Sequence, residues 1–139
     1  MESDNLYKRL FFAGSAWNFS IAGALFIMTP WLHSIVGIEP PRYPLFIHLN
    51  LMSIFFFGCM QWMVARDLQS HRSLIKLLMW AKLAMGGIFL YSMLLDAPPK
   101  ALVVFLLPGM VLDVLFGLIF WRFLVFSRPK AAVTDSNAI

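Results

Sequence analysis

Charged residues are scarce in this sequence, and their scarcity sets the class of protein. Asp, Glu, Lys and Arg make up 13% of its 139 residues, against about 25% in soluble domains. Apolar residues make up 60%, and most of them lie in four long runs. A helix that crosses a bilayer needs about 20 such residues. The composition therefore predicts a polytopic α-helical protein in contact with a lipid bilayer, and it excludes a soluble domain.

Motifs that carry chemistry are also missing. Cys59 is the single cysteine, which excludes an internal disulfide and favours a buried, inert thiol. The sequence has no Gly-rich phosphate loop, nucleophile elbow, HExxH or CxxC motif. His33, His48 and His71 lie in different segments without ligand spacing, so we expect no metal site. These absences argue against most common enzyme classes and imply no cofactor.

The four apolar runs predict an all-α fold, an antiparallel four-helix transmembrane bundle in one domain. We expect the helices at about 10–28, 45–65, 74–95 and 101–121 or slightly beyond. A polar tail, 1–9, precedes them, and a flexible tail, 127–139, follows. Thr29-Pro30 is expected to end the first helix. The outer loop 29–44 then holds a short helix in the membrane interface.

Basic residues lie at the ends of the apolar runs, and their distribution predicts the orientation. The side opposite the outer loop holds eight of them: Lys8, Arg9, Arg66, Arg72, Lys76, Arg122, Arg128 and Lys130. The outer side holds Arg42 and Lys100. Because cytoplasmic loops carry the excess of Lys and Arg, both termini are expected in the cytoplasm. The net charge of +4 is therefore a membrane signal, and no nucleic-acid partner is expected.

A polar layer is predicted inside the bundle. Lys82 lies well inside the third run, where a charge costs about 2.5–3.5 kcal/mol on insertion scales. Asp113, the one acid inside any of the apolar runs, is its expected partner. Counted from the cytoplasmic ends, Asn18, Lys82 and Asp113 all lie about 12 Å deep. The second helix is expected to contribute Asn50, Ser53, Phe57 and Gln61 along one stripe, with Asn50 nearer the outer surface. Gly14, Gly86, Gly109 and Gly117 lie on the same helix faces and predict close helix contacts.

This layer has two interpretations that the sequence leaves open. It either fixes the register of the helices, or it forms a ligand, ion or proton site, which intramembrane ionisable groups usually mark. His48, with Glu39 and Arg42, is a weaker candidate for a pH-sensitive outer entrance. An interfacial histidine without such a role is the more common case.

Several short motifs support a family resemblance. They are Trp17-Asn18, Tyr43-Pro44-Leu45-Phe46, Phe57-Gly58, Arg66-Asp67, His71-Arg72, Lys82 and Asp113. Over residues 7–126 the chain resembles small four-helix bacterial membrane proteins, broadly DoxX-like, most of which have no assigned activity. The resemblance implies a bacterial inner-membrane protein. It also implies an accessory role beside quinone-linked oxidoreductases, which occasionally accompany these proteins, and it assigns no catalytic residue.

Three functional hypotheses follow. The first is a non-enzymatic protein that binds an apolar or amphipathic molecule, quinone- or lipid-like, or a partner membrane protein around the polar layer. The second is a small transporter or proton-coupled carrier, which needs a homo-oligomer because four helices leave little room for a pathway. The third, an intramembrane enzyme that uses Lys82 as base or Schiff-base amine, is least favoured.

Overall fold

Four helices account for nearly all of the structure. The computed structural model describes residues 2–37, 39–40, 42–96 and 98–127, and it contains no strand within them. The helices are α1 (Glu2–Val36), α2 (Leu45–Arg66), α3 (Arg72–Leu95) and α4 (Lys100–Phe126). Each is long and apolar enough to cross a membrane. The predicted all-helical class with four such helices is confirmed. Apart from Ser127, the predicted C-terminal tail lies outside the described residues, as do Arg128 and Lys130.

Helix α1 is much longer than the sequence predicts. It spans 35 residues and has Pro30 inside it, so the prediction that Thr29-Pro30 ends the helix is wrong. The Thr29 hydroxyl donates to the Leu25 carbonyl, in the turn where Pro30 interrupts the backbone hydrogen bonds. The helix ends instead before Gly37, whose φ of 71° lies in the left-handed region that favours glycine. The Gly37 N–H donates to the His33 carbonyl at 2.9 Å.

Because α1 is so long, it includes residues that the sequence analysis assigned to two other segments, the N-terminal tail and the outer loop. Residues 4–9, expected in a polar tail, are helical, and no separate interfacial helix occurs in the described part of 29–44. The other three helices keep the predicted starts and ends within two residues, except that α4 continues to Phe126. Pro108 lies inside α4, as expected.

The helices associate as two close pairs. Helix α1 contacts α2 along its length, through ring pairs Phe12–Trp62, Phe19–Phe55 and Phe26–His48 with centroids 5.0, 5.0 and 5.6 Å apart. Helix α3 contacts α4 in the same way. At its first residue, Arg72 donates a hydrogen bond to Ser127 Oγ at 2.8 Å, and further along Gly86 lies against Val114. Glycines in α2, α3 and α4 allow these approaches, because side chains of the neighbouring helix lie over them.

The two pairs are joined by a core at one end of the molecule, which we call the α2–α3 end because residues 67–71 connect those helices there. Phe11 of α1 stacks on Phe120 of α4 with centroids 4.3 Å apart, and Tyr7 contacts Phe123 edge-on. All four helices and the connection between α2 and α3 contribute buried residues. They are Phe11, Val64, Ala65, Leu68, Ile75, Leu78, Met79, Phe120 and Phe123.

The opposite end has no comparable shared core within the described residues. Its large apolar side chains are mostly exposed, among them Phe46, Leu94 and Val104 at 70% or more. In a bilayer such side chains contact lipid at little cost, because lipid tails are as apolar as they are. The packing that joins the two helix pairs is therefore concentrated at the α2–α3 end.

The short α2–α3 connection is organised by Asp67. Its carboxylate accepts hydrogen bonds from the N–H groups of Gln69 and Ser70 and from the Ser70 hydroxyl. The Ser70 hydroxyl bond is the main reason that the pKa of Asp67 lies below its usual value. A lowered pKa means that the carboxylate stabilises the turn at neutral pH, and that this contribution is lost as the pH falls through the lowered pKa.

Two adjacent glycines of α3 offer a matched test of the α3–α4 contact. A Cβ on Gly86 would lie 2.5 Å from Val114 Cγ2, whereas a Cβ on Gly87 meets nothing within 4 Å. We expect Gly86→Ala to destabilise the fold by about 1–3 kcal/mol through overpacking. We expect Gly87→Ala to be neutral or to stabilise it by up to about 1 kcal/mol through helix propensity. Unfolding in mixed micelles, followed by circular dichroism, measures both, and equal effects would contradict this packing.

Candidate functional site

Four polar side chains, one from each helix, form a continuous chain of contacts. We call Asn18, Gln61, Lys82 and Asp113 the polar quartet. The Lys82 ammonium forms an ion pair with Asp113 Oδ1 and donates to Asn18 Oδ1 at 3.3 Å. Asn18 Nδ2 donates in turn to Gln61 Oε1 at 3.3 Å. An ammonium can only donate hydrogen bonds, so the Asn18 amide must turn its oxygen towards Lys82. Its nitrogen then faces Gln61.

Burial differs sharply among the four members. Gln61, Asn18 and Lys82 are exposed by 0, 3 and 5%, but the Asp113 side chain is exposed by 21%. The ammonium also lies 6.0 Å from the centre of the Phe57 ring, at the limit of a cation–π contact. Lys82 therefore does not extend towards the membrane surface. Its charge is compensated inside the protein.

Glycines lie at close helix contacts beside the quartet. A Cβ on Gly14 would lie 2.6 Å from Gln61 Oε1, and one on Gly117 would lie 2.8 Å from Leu83 Cδ2. Gly86 meets Val114 in the same way. The prediction of close contact is wrong for Gly109, which has nothing within 4 Å of its Cβ position. The quartet thus lies where α1 approaches α2 and where α3 approaches α4.

Two side chains that sequence reasoning placed in the layer do not join it. Asn50 is exposed, and the exposed Ser53 donates to the Leu49 carbonyl of its own helix at 3.0 Å. Of the four residues on the predicted stripe of helix α2, Gln61 forms a hydrogen bond within the layer. Asn50 and Gln61 are eleven positions apart, or about 16 Å along the helix axis, so their side chains cannot lie in the same layer. Gln61 is the one residue of that stripe that both carries an amide and lies near the Arg66 end of the helix. This combination is the sequence signal that would have selected it.

A second hydrogen bond between α1 and α2 was not expected from the sequence. The fully buried Ser15 donates its hydroxyl to the Gly58 carbonyl at 2.9 Å. Gly58 also lies under the Phe19 ring, where a Cβ would come within 2.7 Å of Cε1. The sequence offered two signs of this contact: a serine one helical turn before Asn18, and a glycine one helical turn before Gln61.

Two residues of the predicted outer entrance, His48 and Arg42, lie beside aromatic rings. His48 is exposed and lies beside the Phe26 ring, and the Arg42 guanidinium lies 5.9 Å from the centre of the Tyr43 ring. Among the described residues, His48 forms no hydrogen bond or ion pair with Glu39 or Arg42. Within the same ranges, no group of three or more His, Cys, Asp and Glu side chains is placed to hold a metal.

The prominent surface grooves lie away from the quartet. Two surface grooves are prominent, one of about 690 Å³ between α1 and α4 and one of about 350 Å³ between α3 and α4. Neither is lined by a quartet residue. Gln61 Nε2 is buried and has no hydrogen-bond partner in the described part of the chain. Among the quartet residues, Asp113 has the most exposed side chain, at 21%.

Comparison of the chain with protein-family models, with curated proteins and with solved structures found no match.

The ion pair predicts an asymmetric response to substitution. We expect Asp113→Asn to destabilise the protein by about 3 kcal/mol, because it leaves the buried Lys82 charge without its counterion. Lys82→Met should cost less, because the Asp113 side chain is partly exposed and its charge is therefore less buried than that of Lys82. The double variant Lys82→Met/Asp113→Leu should recover to within about 1 kcal/mol of the wild type, since removing both charges removes the desolvation penalty.

The same unfolding measurement in micelles gives all three values. The exposed residues Lys76 and Asp96 supply controls, Lys76→Met and Asp96→Asn, that make the same chemical changes outside the quartet. If the effects of the two single substitutions simply add in the double variant, the pair does not contribute as a unit.

Proposed function

We propose that this chain is an integral protein of a bacterial inner membrane, with four helices that cross in alternating directions and both termini in the cytoplasm. The contacts that pair Phe12 with Trp62 and Arg72 with Ser127 support the alternation, since each joins the start of one helix to the end of another. The excess of Lys and Arg at the α2–α3 end supports the orientation.

Reporter fusions test this topology. Green fluorescent protein fused after residue 127 should fluoresce, because it folds in the cytoplasm. Alkaline phosphatase inserted next to Lys100 should be active, because we expect that connection on the outer side. The reverse pattern of activities would contradict the orientation.

Within this frame, we propose a binding protein rather than an enzyme. The observation that carries the proposal is the state of Asp113. One of its carboxylate oxygens is paired with Lys82, and the other has no hydrogen-bond partner among the described residues. Asp113 lies inside an apolar helix, yet its side chain is partly exposed. An accessible carboxylate oxygen at membrane depth favours a ligand that donates a hydrogen bond to it.

The chemical class of the ligand follows from the surroundings. The quartet is the layer next to the shared core, and beyond it the exposed surface of the helices is apolar. A suitable ligand therefore combines an apolar body or tail with a hydroxyl or amine group that reaches Asp113. Quinol-like and lipid-like molecules meet both requirements. A role beside a quinone-linked oxidoreductase, as implied by the DoxX-like resemblance, is compatible with such a ligand.

A pair of related probes tests the donor requirement. Decylubiquinol carries two hydroxyl donors, whereas decylubiquinone carries carbonyl acceptors on the same ring and tail. We expect the quinol, kept reduced under anaerobic conditions, to raise the unfolding temperature more than the quinone does. The reason is that a carboxylate accepts hydrogen bonds and does not donate them.

Two variants then test whether the preference for the quinol depends on Asp113. The preference for the quinol should disappear in Lys82→Met/Asp113→Leu, which is expected to fold, and should persist in Asp96→Asn. Each shift is measured against the same variant without ligand. Equal shifts for quinol and quinone in the wild type, or a preference that survives in the double variant, would overturn the proposal.

A further inference from the structure

The larger groove lies at the α2–α3 end, between the first turns of α1 and the last turns of α4. Its volume is about 690 Å³, within the range of about 300–1,000 Å³ that is usual for small-molecule sites. Asp4 and Tyr7 line it from α1, and Leu118, Trp121, Arg122 and Phe126 line it from α4. We call it the α1–α4 groove.

Two opposite charges face this groove without neutralising each other. Asp4 and Arg122 both line it, but within the described residues neither forms a salt bridge. A guanidinium binds phosphate through paired hydrogen bonds, and a carboxylate accepts hydrogen bonds from an ammonium. The groove therefore offers complementary partners to a headgroup that carries one phosphate and one ammonium.

The apolar side of the groove suits a lipid rather than a free headgroup. Leu118, Trp121 and Phe126 line it and are exposed. Towards the opposite end of α4, the exposed Leu115 and Val111 continue from Leu118 at spacings of three and four residues, and so share one helix face. An acyl chain can lie along this face while its headgroup stays near Trp121, a residue type enriched at membrane interfaces.

The charges also distinguish among lipids. An anionic lipid would satisfy Arg122 but would bring its negative charge near Asp4. A phosphocholine headgroup has a quaternary ammonium, which cannot donate a hydrogen bond to the Asp4 carboxylate. A primary ammonium can donate three. Phosphoethanolamine is therefore the headgroup that satisfies both side chains.

We propose that the α1–α4 groove binds a phospholipid with a phosphoethanolamine headgroup, its phosphate on Arg122 and its ammonium on Asp4. This assignment rests on the membrane embedding and orientation proposed above, which place the groove at the level of the inner leaflet headgroups. It does not depend on the ligand proposed for Asp113.

Lipid competition measured by native mass spectrometry tests the site. The purified full chain is mixed in detergent with dioleoyl phosphatidylethanolamine, phosphatidylglycerol and phosphatidylcholine, which share their acyl chains. We expect the wild type to retain the ethanolamine lipid about tenfold over either competitor, as one additional charge-assisted hydrogen bond allows. Equal retention of the three lipids would overturn the proposal.

Substitutions of the two charged residues separate their roles. Asp4→Asn should remove the preference for ethanolamine over glycerol while phospholipid remains bound. Arg122→Gln should reduce retention of all three lipids, because all carry the phosphate. Arg66→Gln and Asp96→Asn, exposed residues outside the groove, are the matched controls and should keep the wild-type pattern. An ethanolamine preference that persists in Asp4→Asn would exclude the assigned ammonium contact.

The result is independent of the proposed function. The groove variants leave Asp113 intact, so the quinol-dependent shift in unfolding temperature should be unchanged in them. If the wild type shows no preference for the ethanolamine lipid but keeps its quinol-dependent shift, only the groove assignment is rejected. If the wild type prefers the ethanolamine lipid but shows no quinol-dependent shift, only the ligand proposed for Asp113 is rejected.

Discussion

The charge of Lys82 is the constraint on which the rest of the bundle depends. An ammonium at this depth costs about 2.5–3.5 kcal/mol on insertion scales unless it is compensated, and a lysine has three protons to place. Asp113 and Asn18 accept from it, and the face of the Phe57 ring lies nearby. Those partners come from three other helices. Satisfying one side chain therefore requires α1, α2 and α4 to take specific positions around α3.

The position of this charge coincides with a change in packing along the molecule. On one side of the polar quartet, aromatic and aliphatic side chains form the buried core that joins the two helix pairs. On the other side, the large apolar side chains are mostly exposed, and the described contacts run within each pair. In water such exposure would promote aggregation, but in lipid it is the normal surface of a protein. The quartet thus marks the boundary between a packed half and a half that presents apolar surface to its surroundings.

Much of this arrangement was predictable, and the errors have physical causes. The pairing of Lys82 with Asp113 and the proximity of Asn18 follow from the cost of a charge in an apolar run, which leaves few partners. Asn50 and Ser53 were misplaced because helical periodicity identifies a face but does not fix a level along the axis. The end of α1 was misplaced because proline usually ends helices in water, whereas here the helix passes through Pro30 and ends at the left-handed Gly37. The Ser15–Gly58 bond joins residues 43 positions apart, and their places one turn from Asn18 and Gln61 do not by themselves identify them as partners.

The sequence by itself determined the class of protein and the number of helices, because hydrophobicity and helix length are properties of contiguous residues. It also determined that Lys82 needs an acidic partner, since the chain has one candidate inside its apolar runs. Only the tertiary structure decided that Gln61 completes the quartet, that Asp113 alone is partly exposed, and that Asp4 and Arg122 face a common groove. Each of these depends on distances between helices that are far apart in sequence, and such distances are set by how side chains fill the space between the helices.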